Sequence, residues 1–309
     1  MRHLISLTDL GAEDLAAIAA RGVQFRHGRA AAGKPLEGQI AGVYFRRTST
    51  RTRTAFTTAA LRLGAQVIAY GPGDLQLNTG ETMADTGRVF SGMLDLLIAR
   101  TSDDPRELRE LAEPGGMSVV NAMTADEHPT QALADLTTLL DRFSALEGLR
   151  LLYAGEGNNT AVALALALSR FSGVRLELRT PAGYGLPAGV LEKAQTLAAK
   201  HGASVTELHE PPGKGAACDF DAVYTARWQT TGTSKADPLW RESFDPFRIE
   251  ERWWDGGAEA VFMHDLPAHR GEEVTAQVLD GERSIAFEQA ENKLHSAMAV
   301  LEWVRSERP

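Results

Sequence analysis

The chain has 309 residues, enough for two domains of ordinary size, and its 43% hydrophobic and 24% charged content is that of a globular protein. The formal net charge of −9 argues against an extended polyanion such as nucleic acid, which favours a broadly basic face. No apolar run is long enough to cross a membrane, and the N-terminus meets acidic residues before a signal-peptide core could form. A single cysteine, Cys218, excludes a disulfide framework and fits a reducing compartment, so a cytoplasmic location is expected.

Strand-like and helix-like periods alternate along the chain. Residues 38–45 read as a buried strand, followed by Ala55, Phe56, Ala59, Ala60 and Leu63 on one helical face. Further strands are predicted at 65–70, 94–99 and 118–123, and Pro129 opens a helix at a favoured first position. The second half repeats the pattern with strands at 150–155, 174–180, 220–225 and 259–264, and an amphipathic helix over 289–306. Such βα repeats predict an α/β fold of two doubly wound parallel sheets with a cleft between them, hinged near 140–148. The expected domains are 1–143 together with a terminal helix within 289–309, and 148–288.

Ligands in such folds gather at strand carboxyl ends and helix N-termini, and the polar anomalies of this sequence fall there. Arg46 to Arg53 holds four arginines and four hydroxyl residues straight after the first strand. Guanidinium groups so close together repel and cannot be buried unpaired. On an acidic chain they suit one small anion, and Ser49, Thr50, Arg51 and Thr52 at a helix start supply hydroxyls, backbone N–H groups and a forked donor for a phosphate. The alternative is an ordinary cap with solvated arginines; Arg100 and His128 at neighbouring strand ends favour the anion site. Gly155-Glu156-Gly157 lacks the third glycine of a dinucleotide fingerprint, since position 160 is Thr160. No phosphate-binding G-x-x-x-x-G-K-[ST] loop occurs, which argues against an NTPase.

Taken together, S-T-R-T-R at 49–53 and H-P-T-Q at 128–131 resemble the two carbamoyl-phosphate signatures of the aspartate/ornithine carbamoyltransferase family. DLQLNTGETMADTGRV (74–89), GEGNN (155–159), HDLPAHRGEEV (264–274) and AEN (290–292) follow in family order, closer to the ornithine branch. The resemblance implies that Ser49, Thr50, Arg51 and Thr52 hold the phosphate of carbamoyl phosphate. It implies that Arg100 bridges phosphate and carbonyl oxygen, that His128 donates to that oxygen, and that Gln131 and the backbone carbonyl near Leu266 accept from the carbamoyl amide. Gln76 matches a position that reaches a neighbouring subunit's site, implying a homotrimer with shared sites. Fixed donors aimed at the developing charge are each worth about 3 kcal/mol, and the chemistry requires neither a metal nor an organic cofactor.

The resemblance weakens on the acceptor side. The ornithine branch carries D-x-W-x-S-M-G, whose aspartate grips the acceptor's α-amino group; this chain reads Ala226-Arg227-Trp228-Gln229-Thr230-Thr231-Gly232. Its H-C-L-P is His264-Asp265-Leu266-Pro267, the arginine after A-E-N is Lys293, and the glutamate after S-F is Thr57. These departures lead to the expectation of a carbamoyltransferase with a small amine-type acceptor other than ornithine. A variant ornithine enzyme and a catalytically silent anion-binding member are the alternatives. Asn159, Arg227, Trp228, Gln229, Asp265 and Lys293 are the candidate acceptor-binding residues, with Trp228 equally readable as core and Asn158 as a helix cap.

Overall fold

A computed structural model describes residues 2–29, 33–101, 103–230 and 233–306. The chain forms two compact units, Met1–Leu140 with Glu291–Pro309, and Asp141–Ala290. No helix among the described residues is long and apolar enough to cross a membrane.

In chain order the first unit begins with α1 (Ala12–Arg26), β1 (Ile40–Phe45), α2 (Arg51–Arg62), β2 (Gln66–Tyr70) and α3 (Met83–Ser91). It continues through β3 (Leu96–Arg100), α4 (Arg106–Ala112), β4 (Ser118–Met123) and α5 (Pro129–Phe143). The second unit contributes β5 (Arg150–Ala154), α6 (Asn159–Leu168), β6 (Arg175–Arg179), α7 (Ala188–His201), β7 (Ser204–Leu208) and β8 (Ala222–Thr225). After these come α8 (Trp240–Phe244), β9 (Val261–His264), α9 (Ala276–Leu279) and α10 (Ala286–Arg305). The sheets run β2-β1-β3-β4 and β7-β6-β5-β8-β9, and every paired strand is parallel. Two parallel-sheet α/β units are the expected fold class.

Burial explains why these segments become strands. All residues of β3, β4, β8 and β9 are buried, as strands covered by helices on both faces must be. The predicted strands are found with ends displaced by at most two residues, but β7 is an addition. Its burial alternates around a single buried residue, Val205, the mark of an edge strand rather than of an apolar run. Arg100 is the last residue of β3 instead of following it.

The terminal helix packs on the first unit, as expected. Asn292 Nδ2 donates to Thr138 Oγ1 at 3.1 Å, Ser118 Oγ to the Val304 carbonyl at 3.2 Å, and Trp303 Nε1 to Asp14 Oδ1 at 2.9 Å. Arg21 holds Glu302 through two nitrogens, at 2.6 and 3.0 Å.

Candidate active site

In the first unit, strand register assembles the polar groups. Phe45 pairs with Arg100 at the ends of β1 and β3, and the Arg46 N–H donates to the Arg100 carbonyl at 3.0 Å. The segment leaving β1 therefore runs beside Arg100, whose Nη1 donates to Ser49 Oγ at 3.2 Å. Thr50 caps α2 with helical backbone angles and no side-chain hydrogen bond, and the first turn holds no acidic residue. The positive end of a twelve-residue helix is left to its backbone N–H groups, beside Ser49, Thr50, Arg51 and the buried Thr52.

The arginine cluster divides its work. Arg46 turns away from that helix end: its Nε donates to the Tyr44 hydroxyl at 3.1 Å, and its Nη1 contacts Asp103 and Glu107. Opposite charges thereby neutralise one of the four guanidinium groups.

His128, Thr52, Thr130, Gln131 and Lys293, with Ala55 and Phe56, line a small cavity in this unit. Burial, reinforced by the positive charges of Arg100 and Lys293, pushes the His128 imidazole well below its ordinary range, so it is uncharged at neutral pH. Thr130 Oγ1 lies 3.3 Å from His128 Nδ1. Gln131 Nε2 donates to Asp135 Oδ1 at 2.7 Å, while its buried Oε1 has no partner among the described residues. With its amide hydrogens directed to Asp135, the carboxamide offers the cavity an acceptor. Lys293, a candidate for an acceptor carboxylate or for the phosphate side, lines this cavity beside His128. Gln76 is exposed, its Oε1 accepting from Thr79 at 3.0 Å; no described hydrogen bond ties it to the cavity.

In the second unit the candidates gather at the ends of β5, β8 and β9. Asn158 caps α6 by accepting from Thr160 N and Ala161 N at 3.0 and 3.2 Å, and Asn159 is buried as the first helical residue. Thr225 pairs with His264, so Ala226 and Asp265 leave neighbouring strand ends. Ala226 is buried, and Asp265 Oδ2 accepts from Thr160 Oγ1 at 2.9 Å. Arg227 is half-buried, with a buried Nε that lacks a partner among the described residues. Gln229 Nε2 donates to the Thr233 carbonyl at 2.7 Å.

Of the two readings of Trp228, pocket wall or core, packing favours the core: it is 1% exposed, in an aromatic cluster with Trp240 and Phe244. Its size and apolar face make the core the better place for it. Thr231 and Gly232 lie outside the described residues.

The loop after β9 is held by buried polar groups that sequence reading missed. Leu266 takes a φ of 53°, the left-handed region uncommon for a leucine, and its N–H donates to His264 Nδ1 at 2.8 Å. Nδ1 is thus the accepting nitrogen, and Nε2 donates to Glu273 Oε1 at 3.1 Å. His269 with Glu272 and Glu273 is a metal-sized group, but Glu273 Oε1 already accepts from His264 and the His269 N–H.

Both units match known families along almost their whole length. Residues 2–141 match the aspartate/ornithine carbamoyltransferase carbamoyl-P binding domain, and residues 147–304 the Asp/Orn binding domain of the same family. The chain belongs to the aspartate/ornithine carbamoyltransferase family. It is a carbamoyltransferase, with a carbamoyl-phosphate-binding domain and an ornithine/aspartate-type acceptor domain. An ornithine carbamoyltransferase of Symbiobacterium thermophilum is 38% identical over 304 residues, 97% of this chain and 96% of that protein. The ornithine carbamoyltransferase structure from Pyrococcus furiosus superposes with a TM-score of 0.88 at 35% identity, covering 97% of this chain and 96% of its own. That from Campylobacter jejuni, described as anabolic, gives 0.89 at 27% identity with complete coverage of both chains. Within this carbamoyltransferase, Asp135, Glu273 and the pair Glu156–Lys235 are the polar groups that sequence reading passed over. Asp135 alone left a signal, since it stands four residues after Gln131 on one helix.

Proposed function

We propose that this enzyme transfers the carbamoyl group of carbamoyl phosphate to ornithine, forming citrulline and releasing phosphate. The acceptor reading is supported by relatives named ornithine carbamoyltransferase that align over nearly the whole chain. The observation that carries the donor side is the small cavity in the first unit, where uncharged His128 and the free acceptor of Gln131 meet Thr52 and Lys293.

The chemistry assigns each group a task. The neutral amine attacks the carbamoyl carbon, a C–N bond forms, and the carbonyl oxygen takes up negative charge in a tetrahedral intermediate. Arg100 and His128 donate to that oxygen, while Gln131 Oε1 accepts from the carbamoyl NH₂. The bond between the carbamoyl carbon and the bridging oxygen then breaks, and the proton lost by the amine passes to the departing phosphate, which leaves as the dianion HPO₄²⁻ held by Ser49, Thr50, Arg51, Thr52 and the N-terminus of α2. That role of His128 requires the tautomer with hydrogen on Nε2, in which Nδ1 accepts from Thr130 Oγ1.

An alkyl ammonium with a pKa near 10.4 must lose a proton at pH 7 at a cost of roughly 4–5 kcal/mol, and a carboxylate beside it raises that cost. Asp265 therefore serves best by holding the α-ammonium group of ornithine, leaving the distal amine to react. Its place beside Ala226 keeps a carboxylate at the same pair of strand ends. Asn159, Arg227 and Gln229 complete the acceptor side, and Trp228 supports it from the core.

The test is citrulline formation by the wild type, together with carbamoyl-phosphate affinity of Arg51→Ala. Citrulline at catalytic rates and at least tenfold weaker donor binding are expected. Unchanged donor affinity would remove the phosphate assignment.

One observation favours a second reading, an acceptor other than ornithine: position 226 is a buried alanine that cannot pair with an ammonium group. The relatives' names weigh against it. A panel of amines, amino acids and hydroxyl compounds, run on wild type and on Ala226→Asp with Asp265→Cys, separates the two. Efficient ornithine turnover by the wild type ends the second reading.

We also propose a cytoplasmic homotrimer in which exposed Gln76 reaches a neighbouring subunit's site. Light scattering of the purified chain checks the assembly, and a monomer with full activity would exclude shared sites.

A further inference from the structure

Lys235 lies in the segment after β8, and its side chain is 7% exposed. Its Nζ is 5.1 Å from the ring centroid of Tyr184, 5.2 Å from that of Trp240 and 5.1 Å from that of Phe244. The same ammonium pairs with Glu156 Oε1. A strongly hydrated point charge is rarely withdrawn from water this far, and here three aromatic faces and one carboxylate replace its hydration.

The two ends of this pair belong to the two segments that bear the proposed acceptor residues. Glu156 stands between the end of β5 and the Asn158 cap, and its carbonyl accepts from the Tyr153 hydroxyl at 2.7 Å. Burial raises its carboxyl pKa against the opposing pull of Lys235, and its Oε2 has no partner among the described residues. Lys235 follows Arg227 and Gln229 on the other segment, and Trp228 packs 5.4 Å from the Phe244 ring that also faces Lys235.

We propose that Lys235 is a positioning residue for acceptor binding: its caged ammonium ties the segment after β8 to the turn after β5, and so sets the distance between Arg227 and Gln229 on one side and Asn159 on the other. The inference rests on the acceptor assignment proposed above. It goes beyond that assignment because Lys235, spent on Glu156 and the rings, need not touch the acceptor itself. Ion pair and rings act together, so removing the charge alone leaves the half-buried Glu156 carboxylate uncompensated, and the turn moves to hydrate it.

The test compares wild type with Lys235→Met, Lys235→Arg and the double variant Lys235→Met with Glu156→Gln. For each, ornithine KM and kcat are measured at saturating carbamoyl phosphate, and carbamoyl-phosphate affinity is measured by calorimetry. Lys235→Met should raise ornithine KM at least tenfold, change kcat less than threefold and leave donor affinity unchanged. Lys235→Arg and the double variant should return KM to within about threefold of wild type.

An unchanged KM in a folded Lys235→Met protein overturns the proposal. Equal losses in KM, kcat and donor affinity also overturn it, since they signify general unfolding. A wild type that binds carbamoyl phosphate but leaves ornithine unreacted refutes the acceptor reading instead. The same KM comparison is then made with the amine from the panel that the wild type does carbamoylate.

Discussion

Asp135 fixes which end of the Gln131 side chain the cavity meets. The two stand four residues apart on α5, with Gln131 Nε2 donating to Asp135 Oδ1 at 2.7 Å in a fully buried setting. A carboxylate accepts only, so it selects the amide orientation whose oxygen is left over. Asp135→Ala removes that selection and should lower kcat/KM roughly tenfold to a hundredfold, the equivalent of one misaligned buried hydrogen bond. Asp135→Glu, which keeps the acceptor, should recover part of it. Steady-state kinetics on both variants checks this.

His128 gives a pH dependence with a definite sign. Its pKa is lowered from 6.5, mainly by burial and further by Arg100 and Lys293. Above pH 6.5 neither the folded nor the unfolded chain holds a proton there, and the residue adds no slope. As pH falls below 6.5, the unfolded chain binds a proton that the folded one refuses, and stability declines until the lower folded pKa is reached. His128→Gln should therefore lose less stability than wild type between pH 7 and pH 5. The difference in slope should approach about 1.4 kcal/mol per pH unit. Urea denaturation at the two pH values measures it, and parallel losses would contradict a neutral His128.

Glu273 is fully buried and holds the loop after β9 through His264. Glu273→Ala would strand the His264 Nε2–H and the His269 N–H without an acceptor, and should cost about 2–4 kcal/mol of stability. Glu273→Gln keeps an acceptor oxygen and should cost less than half as much. Denaturant titrations decide between them, and equal losses would point to the charge rather than the hydrogen bonds.

Gly157 in the G-x-G sequence has a packing reason to be glycine. A Cβ added to it would fall 2.3 Å from the Gly185 carbonyl carbon and 2.4 Å from the Leu186 nitrogen, both backbone atoms. Its own N–H donates to the Tyr184 carbonyl at 2.8 Å, so two chain segments touch directly. Gly157→Ala should destabilise the enzyme by about 1–3 kcal/mol or more, since backbone must move. Thermal unfolding monitored by calorimetry tests it.

The sequence disclosed the features whose signal is local. Buried parallel strands are continuous apolar runs, so β1, β3, β4 and β5 stood out, whereas β7 has one buried residue among polar ones and did not. The arginine-rich start of α2 was legible because its composition is anomalous for a helix start. That Arg46 faces Asp103 and Glu107 was not, because those partners lie 57 and 61 residues away. For the same reason nothing in the sequence pairs Glu156 with Lys235, 79 residues apart. Lys293 could be read toward an acceptor carboxylate or toward the phosphate side, because a helix sequence does not reveal which wall its lysine joins. Trp228 had been left open between pocket and core, a choice that only packing could make.

The hydrogen bonds from Ser118, Trp303 and Asn292 bear on how the molecule is made. The first unit is built from two stretches that flank residues 141–290, so its early strands emerge from the ribosome long before the helix that covers them. Residues 141–290, by contrast, are contiguous and complete while that helix is still being synthesised. Biogenesis thus delivers the later-numbered unit in finished form first, leaving the first unit's sheet dependent for its final cover on residues translated after it.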